Sequence, residues 1–479
     1  LNKEQSSYRS IFKATSIFGG VQVFNILIGI IRSKFVAVLL GPEGIGILSL
    51  LTSTTGLIGS ITNFGLGTSA IKNIAEAETI GDRSKVAKVV KVFDRLIWFT
   101  GVLGTLVTVA LSNYLSIITF GNSNYTLAII WISITLLINQ LCSCQFAILQ
   151  GLRKLQYLAR SNLYGSILGL FITIPLYYFL GIDGIVPGII LTSLISLLFG
   201  LYYRKKIHFE NINVTYQQTI IEGKEMMLMG FIISLSGLAS IGTAYILRIF
   251  INDYGGVEEV GLYSAGFAIL NTYFGLVFTA MGTDYYPRLC QVANDNTKCN
   301  LTINHQAEIS IILLTPLVVF FIFFIKYVII ILYTSKFVNI ENMMQWAVIG
   351  ILFKSSSWSI SFVFMAKSDK KLFFLNEVAA NLYFLLLNIL AYKYYGLTGL
   401  GISFLVSYAL YMLQMYLVSK IKYDFKFSKE YLLILLIQSL IIVVCFILKL
   451  IDISEIISII VGIVLFTIST LYSLYELNK

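Results

Sequence analysis

A chain of 479 residues that is 57% hydrophobic and 12% charged, with mean hydropathy +0.84, cannot fold as a water-soluble globule. Two histidines and five dispersed cysteines argue against a histidine-rich metal centre, a zinc site or a disulfide framework. A net charge of +10 raises the question of an acidic partner, but the placement of the basic residues answers it differently, as a topology signal rather than a nucleic-acid footprint.

Long apolar runs recur from end to end and define an all-α integral membrane protein of about fourteen helices, each able to cross ~30 Å of hydrocarbon. The first six are expected at 11–31, 45–67, 96–119, 126–149, 161–180 and 185–203. A second set follows at 228–251, 261–282, 307–332, 343–366, 372–395 and 398–418. Two more, 431–449 and 455–475, close the chain. No cleavable signal is read ahead of the first span. The stretch Asp82 to Lys91 has basic residues at helical spacing and reads either as a helix along the inner leaflet or as a solvated loop. Pro175 and Pro316 fall inside spans, where they would free carbonyls and kink the helix.

The two sets are copies. An offset of 215 residues places Gly41 on Gly256, Glu43 on Glu258, Gly46 on Gly261, Ser49 on Ser264 and Gly67 on Gly282, then Gly181 on Gly396 and Gly184 on Gly399. The expected organisation is a six-helix bundle over 1–210, its repeat over 211–425, and two additional helices over 426–479. Duplicated helical membrane proteins are characteristically transporters with a substrate site between the halves.

Alternate loops concentrate the basic residues: Lys72 to Arg95, then Arg153, Lys154 and Arg160, then Arg204 to Lys206 with Lys224, and so on to Lys429. By the positive-inside rule both termini are cytoplasmic. No G-x-x-x-x-G-K followed by Ser or Thr occurs, so direct nucleotide drive is not expected.

A few cations lie in or beside apolar spans, where a charge normally needs a wet cavity: Arg32, Lys34, Arg248, Lys326 and Lys354. Arg32 and Arg248 end the first helix of each copy, within one residue of the 215 offset, and Lys354 precedes the serine run Ser355 to Ser357. The competing reading has Arg32 and Lys34 snorkelling to an interface and Arg248 snorkelling or pairing with Asp253. Acidic residues are read as missing from span centres. Cations without carboxylates suit an anionic substrate, phosphate or diphosphate above all, and disfavour a cationic drug. Polar side chains that could face a sugar are Asn63, Gln140, Asn271, Tyr273 and Asn381; each can equally be an interhelical hydrogen bond. No catalytic residue and no metal ligand set is assigned.

The run Phe35-Val36-Ala37-Val38-Leu39-Leu40-Gly41-Pro42-Glu43-Gly44-Ile45-Gly46 and the later Asn63-Phe64-Gly65-Leu66-Gly67-Thr68 resemble landmarks of polysaccharide flippases. These are the Wzx-type O-antigen translocases of the multidrug/oligosaccharidyl-lipid/polysaccharide exporter superfamily, and the resemblance covers roughly 8–420. It implies two six-helix bundles in the bacterial inner membrane, moving an undecaprenyl-pyrophosphate-linked oligosaccharide from the cytoplasmic to the periplasmic leaflet by alternating access. It also implies no cofactor, coupling to a proton or sodium gradient, and partnership with polysaccharide polymerase and chain-length machinery. Many relatives stop at twelve helices, so the last two keep a lipid II-like substrate open. The alternatives are an ion-coupled drug or metabolite antiporter of the same superfamily and, further off, a membrane polysaccharide polymerase.

Overall fold

In the computed structural model the backbone is described for residues 2–451 and 455–478, and side chains for 24–231, 234–235, 237–449, 451 and 456–477. The helices in order are α1 (Asn2–Thr62), α2 (Leu66–Ile80), α3 (Arg83–Ala110), α4 (Ser112–Phe120), α5 (Thr126–Gly151), α6 (Leu155–Leu180) and α7 (Ile185–Arg204). They continue as α8 (Tyr216–Gln291), α9 (Asn296–Leu332), α10 (Glu341–Ala366), α11 (Lys370–Tyr423), α12 (Lys429–Leu450) and α13 (Glu455–Asn478). Ten stretches are apolar and long enough to cross a membrane, and four of them are interrupted at Gly41, Gly181, Gly256 or Gly396. Each of those four therefore supplies two spans, which gives fourteen among the described residues.

Those four glycines form two pairs at the 215-residue offset, and each pair shares a backbone conformation. Gly41 (φ 66°, ψ −169°) matches Gly256 (φ 83°, ψ 174°), and Gly181 (φ 57°, ψ −130°) matches Gly396 (φ 56°, ψ −143°). A side chain in these regions would clash with its own backbone, so glycine is required at each break. The other ends of the spans correspond too. Lys154 N–H donates to Leu149 O as Asp369 N–H donates to Phe364 O, and the residue before each donor, Arg153 or Ser368, has positive φ. At these positions the 215-residue correspondence extends from residue identity to backbone conformation.

The chain divides into two compact units, Leu1–Asp253 and Tyr254–Lys479. In the first, α2 is too short to span. It buries Leu66, Ala70, Ile74 and Ala77 against Phe93 and Ile97 of α3 and Ile148 of α5, while Lys72 and Glu76 face outward. Residues 216–253 of α8, which the repeat groups with the second copy, pack in this unit: the backbones at Gly65 and Gly230 touch. A stripe on α3 fastens the start of α8. Lys88 pairs with Glu222, Lys91 donates to Ile212 O, and Arg95 donates to Val214 O and Thr219 Oγ1.

Two sequence expectations need correction here. The basic stretch 82–91 is neither a surface helix nor a loop: Asp82 caps Lys85 N–H and the stretch forms the first turns of the long helix α3. The third helix consequently starts at Arg83 rather than 96 and stops at Ala110, α4 being separate.

In the second unit Tyr285, Ile303, Ile360, Phe364, Tyr411 and Met415 form the centre of one apolar cluster. Asp295 caps α9 by accepting from Lys298 and Thr297 N–H, and the Lys298 bond first holds its carboxyl below the usual range. The two additional helices pack on α9 and α10. Gly462 of α13 lies against Phe323, the Phe446 ring meets Trp346 edge-on at 4.7 Å, and Lys449 pairs with Glu341 at 3.5 Å.

Candidate functional site

Of the five cations singled out, Lys354 occupies the most distinctive surroundings. It projects from the middle of α10, half-buried, beside three hydroxyls that bond backbone carbonyls of their own helix: Ser355 and Ser356 to Leu352 O, Ser357 to Lys354 O. Its ammonium stands 5.3 Å from the ring centre of Tyr408, 5.6 Å from Phe278 and 5.8 Å from Phe404. Among the described residues no carboxylate lies at ion-pair distance from it. Aromatic faces stabilise a cation by up to about 2 kcal/mol when water is excluded, without neutralising it. The arrangement holds a positive charge in a largely apolar helix and leaves that charge able to meet an anion.

Next to this cage runs a polar seam between the two segments of α11. Tyr411 donates to Glu377, Tyr383 donates to Gln414 Oε1 at 2.9 Å, and Gln414 donates to Asn376 Oδ1 at 2.7 Å. Nearer Gly396, Ser403 donates to Asn388 and Tyr392 to Glu259. Asn381 donates to Glu377 O one turn back in its own helix. Tyr273 is half-buried with its ring 6.1 Å from Phe321, Asn271 is exposed, and Lys326 is half-buried in α9 beside the fully buried Ile325.

In the first unit Arg248 is anchored. Its Nε donates to Ser49 Oγ and its Nη1 to Ala244 O, both at 3.0 Å. The same face of α8 presents Tyr245, hydrogen-bonded to the Thr119 hydroxyl, and Asn252, which donates to Thr119 O at 3.1 Å. Thr54 lies 3.4 Å from Thr119 on its other side. Positions 245, 248 and 252 share one face because they are spaced near the helical repeat, and together they tie α8 to α1 and α4 through a buried polar seam. Arg32 engages a different partner: it lies beside the buried hydroxyl of Tyr177 on α6, which lacks a partner of hydrogen-bond geometry. Lys34 is half-buried two residues further on. Asn63 spends its oxygen on Leu66 N–H in the turn after α1. Gln140 is buried, accepts from Thr100 at 3.4 Å, and leaves its Nε2 without a partner.

A carboxylate that the sequence reading left unassigned is Asp94. It sits eleven residues into α3, about 16 Å along the helix. Arg204 of α7 grips it with both terminal guanidinium nitrogens, the Nη1 bond being 2.7 Å, and Nη1 also donates to Gln145 Oε1 at 3.0 Å. Placing the start of the third span at 96 hid this residue. The seam on α11 was hidden differently, since its members are 31 to 38 residues apart and belong to two spans.

Comparison with known proteins agrees with this architecture. The family described as polysaccharide biosynthesis protein matches residues 11–293. A Shigella flexneri protein named for O-antigen transport is 25% identical over 389 residues, covering 79% of this chain and 90% of that one. The lipid III flippase of Escherichia coli K12 is 20% identical over 415 residues, 84% of this chain and 96% of the flippase. Among solved structures, the lipid II flippase MurJ in an inward closed conformation superposes with a TM-score of 0.72 at 16% identity, over 96% of this chain and 99% of MurJ. An inward-facing multidrug transporter of the MOP superfamily gives 0.70 at 15% identity, over 84% and 94%. These relatives carry the names of transporters and flippases, and this chain shares the all-helical fold of the solved ones. The chain belongs to the polysaccharide biosynthesis protein family of multi-pass membrane proteins.

Proposed function

We propose that this protein is a flippase for an undecaprenyl-pyrophosphate-linked oligosaccharide, an O-antigen or similar repeat unit, carried from the cytoplasmic to the periplasmic leaflet of a bacterial inner membrane. The observation that carries the reading is the un-neutralised Lys354 ammonium in its aromatic cage. A diphosphate brings the negative charge that such a site lacks, and ring faces beside it suit sugar rings. Arg32, Lys34, Arg248 and Lys326 are assigned supporting roles in anion binding, and Gln140 has a buried donor to spare.

Both termini are assigned to the cytoplasm, and the repeats 1–210 and 211–425 are taken as the elements of alternating access, with 426–479 as an addition to the second. A substrate can drive that change only through contacts that differ between the two states. The Arg248 to Ser49 bond offers such a difference, since an anion that draws the guanidinium away breaks it. Coupling to a proton or sodium gradient is assigned as the drive.

The test is leaflet exchange in proteoliposomes loaded with undecaprenyl-pyrophosphate oligosaccharides, scored with a membrane-impermeant glycan-modifying reagent. One charge-assisted hydrogen bond lost on Lys354→Gln is worth about 1.5–3 kcal/mol, or a roughly 10- to 150-fold drop in exchange, whereas Lys354→Arg keeps most activity. Full exchange by Lys354→Gln at equal folded protein would remove the charge-anchor mechanism. Cation efflux without any glycan-lipid exchange would move the protein to the antiporters.

A further inference from the structure

Between α3 and the first turns of α8 lies a groove of about 1020 Å³. Two close approaches of the helices frame it. Gly223 sits against Leu96, where a Cβ would come within 2.9 Å of the leucine side chain, and Gly230 lies against the backbone at Phe64 and Gly65. Between these contacts the walls are apolar and open: Trp98, Phe99 and Leu228 line it at 53%, 62% and 60% exposure. The Phe64 and Phe231 rings, 6.4 Å apart, close the end further along both helices.

Beside the Gly223–Leu96 contact the lining carries two cations, Arg95 next to Leu96 and Lys224 next to Gly223. Arg95 is held in place by Nη1 alone, which donates to Val214 O at 3.0 Å and to Thr219 Oγ1 at 2.8 Å, with the Tyr216 ring 5.0 Å from the guanidinium. Among the described residues its Nε and Nη2 donate to no acceptor. Lys224 is exposed, and among the described residues it forms no ion pair. The one lining carboxylate, Asp94, is already occupied by Arg204.

An ordinary lipid-facing helix surface is convex and carries no charge along its apolar length. This surface is a groove with hydrocarbon-binding walls and two cations beside the Gly223–Leu96 contact. Two cations, one of them a guanidinium with adjacent free donors, match two linked phosphoryl groups better than the single negative charge of a phosphodiester. We infer that the groove is a docking site for a polyisoprenoid diphosphate, with the diphosphate between Arg95 and Lys224 and the isoprenoid chain along Trp98, Phe99 and Leu228. The inference rests on the flippase reading and deepens it: the carrier lipid is captured on the first unit, whereas Lys354 belongs to the second.

The experiment uses the full chain in nanodiscs of phosphatidylethanolamine and phosphatidylglycerol, with p-benzoylphenylalanine placed at Leu228 or, as control, at Leu433 on α12, which has the same 60% exposure. The probe is radiolabelled undecaprenyl diphosphate bearing one hexosamine. Photolabelling at 228 is expected to exceed that at 433 about tenfold, the ratio that 1.4 kcal/mol of preference produces. Unlabelled undecaprenyl diphosphate competes, and extra phosphatidylglycerol does not. Lys224→Gln, an exposed change that disturbs no contact, lowers labelling severalfold; Arg95→Gln lowers it further. Equal labelling at both positions, or competition by phosphatidylglycerol as effective as by the diphosphate, would overturn the inference. Specific labelling by a protein that exchanges no glycan lipid would sink the flippase reading and leave the groove. Exchange without specific labelling would do the reverse.

Discussion

The Asp94–Arg204 pair makes a quantitative prediction about what holds the first unit together. Arg204→Ala removes both guanidinium bonds to the carboxylate and the bond to Gln145. Among the described residues Asp94 then keeps only the weak Cys144 thiol at 3.3 Å. Breaking a buried pair by deleting one partner costs about 3–5 kcal/mol, chiefly for the charge left behind. The side chains here are 20% and 31% exposed, so water recovers part of that penalty. A loss of about 3 kcal/mol, at the low end, is expected. In the double variant Asp94→Asn with Arg204→Gln both charges go together and amides keep some of the hydrogen bonding, so stability should return to within about 1 kcal/mol of the parent. Reversible unfolding by dodecyl sulfate in mixed micelles, followed by tryptophan fluorescence, measures both. A single-variant loss below about 1 kcal/mol, or a double variant as unstable as the sum of the singles, would refute the argument that charge isolation sets the cost.

Two further outcomes follow from packing. A Cβ at Gly230 would lie 2.4 Å from Phe64 O, so Gly230→Ala must push α8 off the turn after α1. It should cut the yield of folded protein in size-exclusion chromatography, with a cost of about 1–3 kcal/mol, whereas Gly237→Ala, with open space around it, should leave the yield unchanged. The fully buried Tyr431 donates to Ser356 on α10 at 2.6 Å. Tyr431→Phe should lower unfolding free energy by about 1 kcal/mol without altering glycan-lipid exchange, and a loss of exchange at unchanged stability would show that α12 takes part in transport.

The sequence determined by itself whatever depends on neighbours along the chain. Apolar length alone gave fourteen spans, because a helix satisfies its own backbone in hydrocarbon. The glycines at 41, 181, 256 and 396 marked the breaks, because their φ values near +60° to +80° belong to glycine whatever packs around them. Lys354 could be singled out as a cation without a local carboxylate. Tertiary structure decided everything set by which helix faces meet. Arg204 finds Asp94 across 110 residues, and Arg248 finds Ser49 across 199. The stretch 216–253 packs with the first copy although its sequence repeats with the second. The topology-giving residues Lys88, Lys91 and Arg95 prove also to be a clamp on the start of α8, and the groove beside them exists only because two glycine contacts hold the helices at fixed points. Charge and hydropathy fix where a residue sits relative to the membrane; the partner it meets there depends on helix rotation and crossing, which no local pattern encodes.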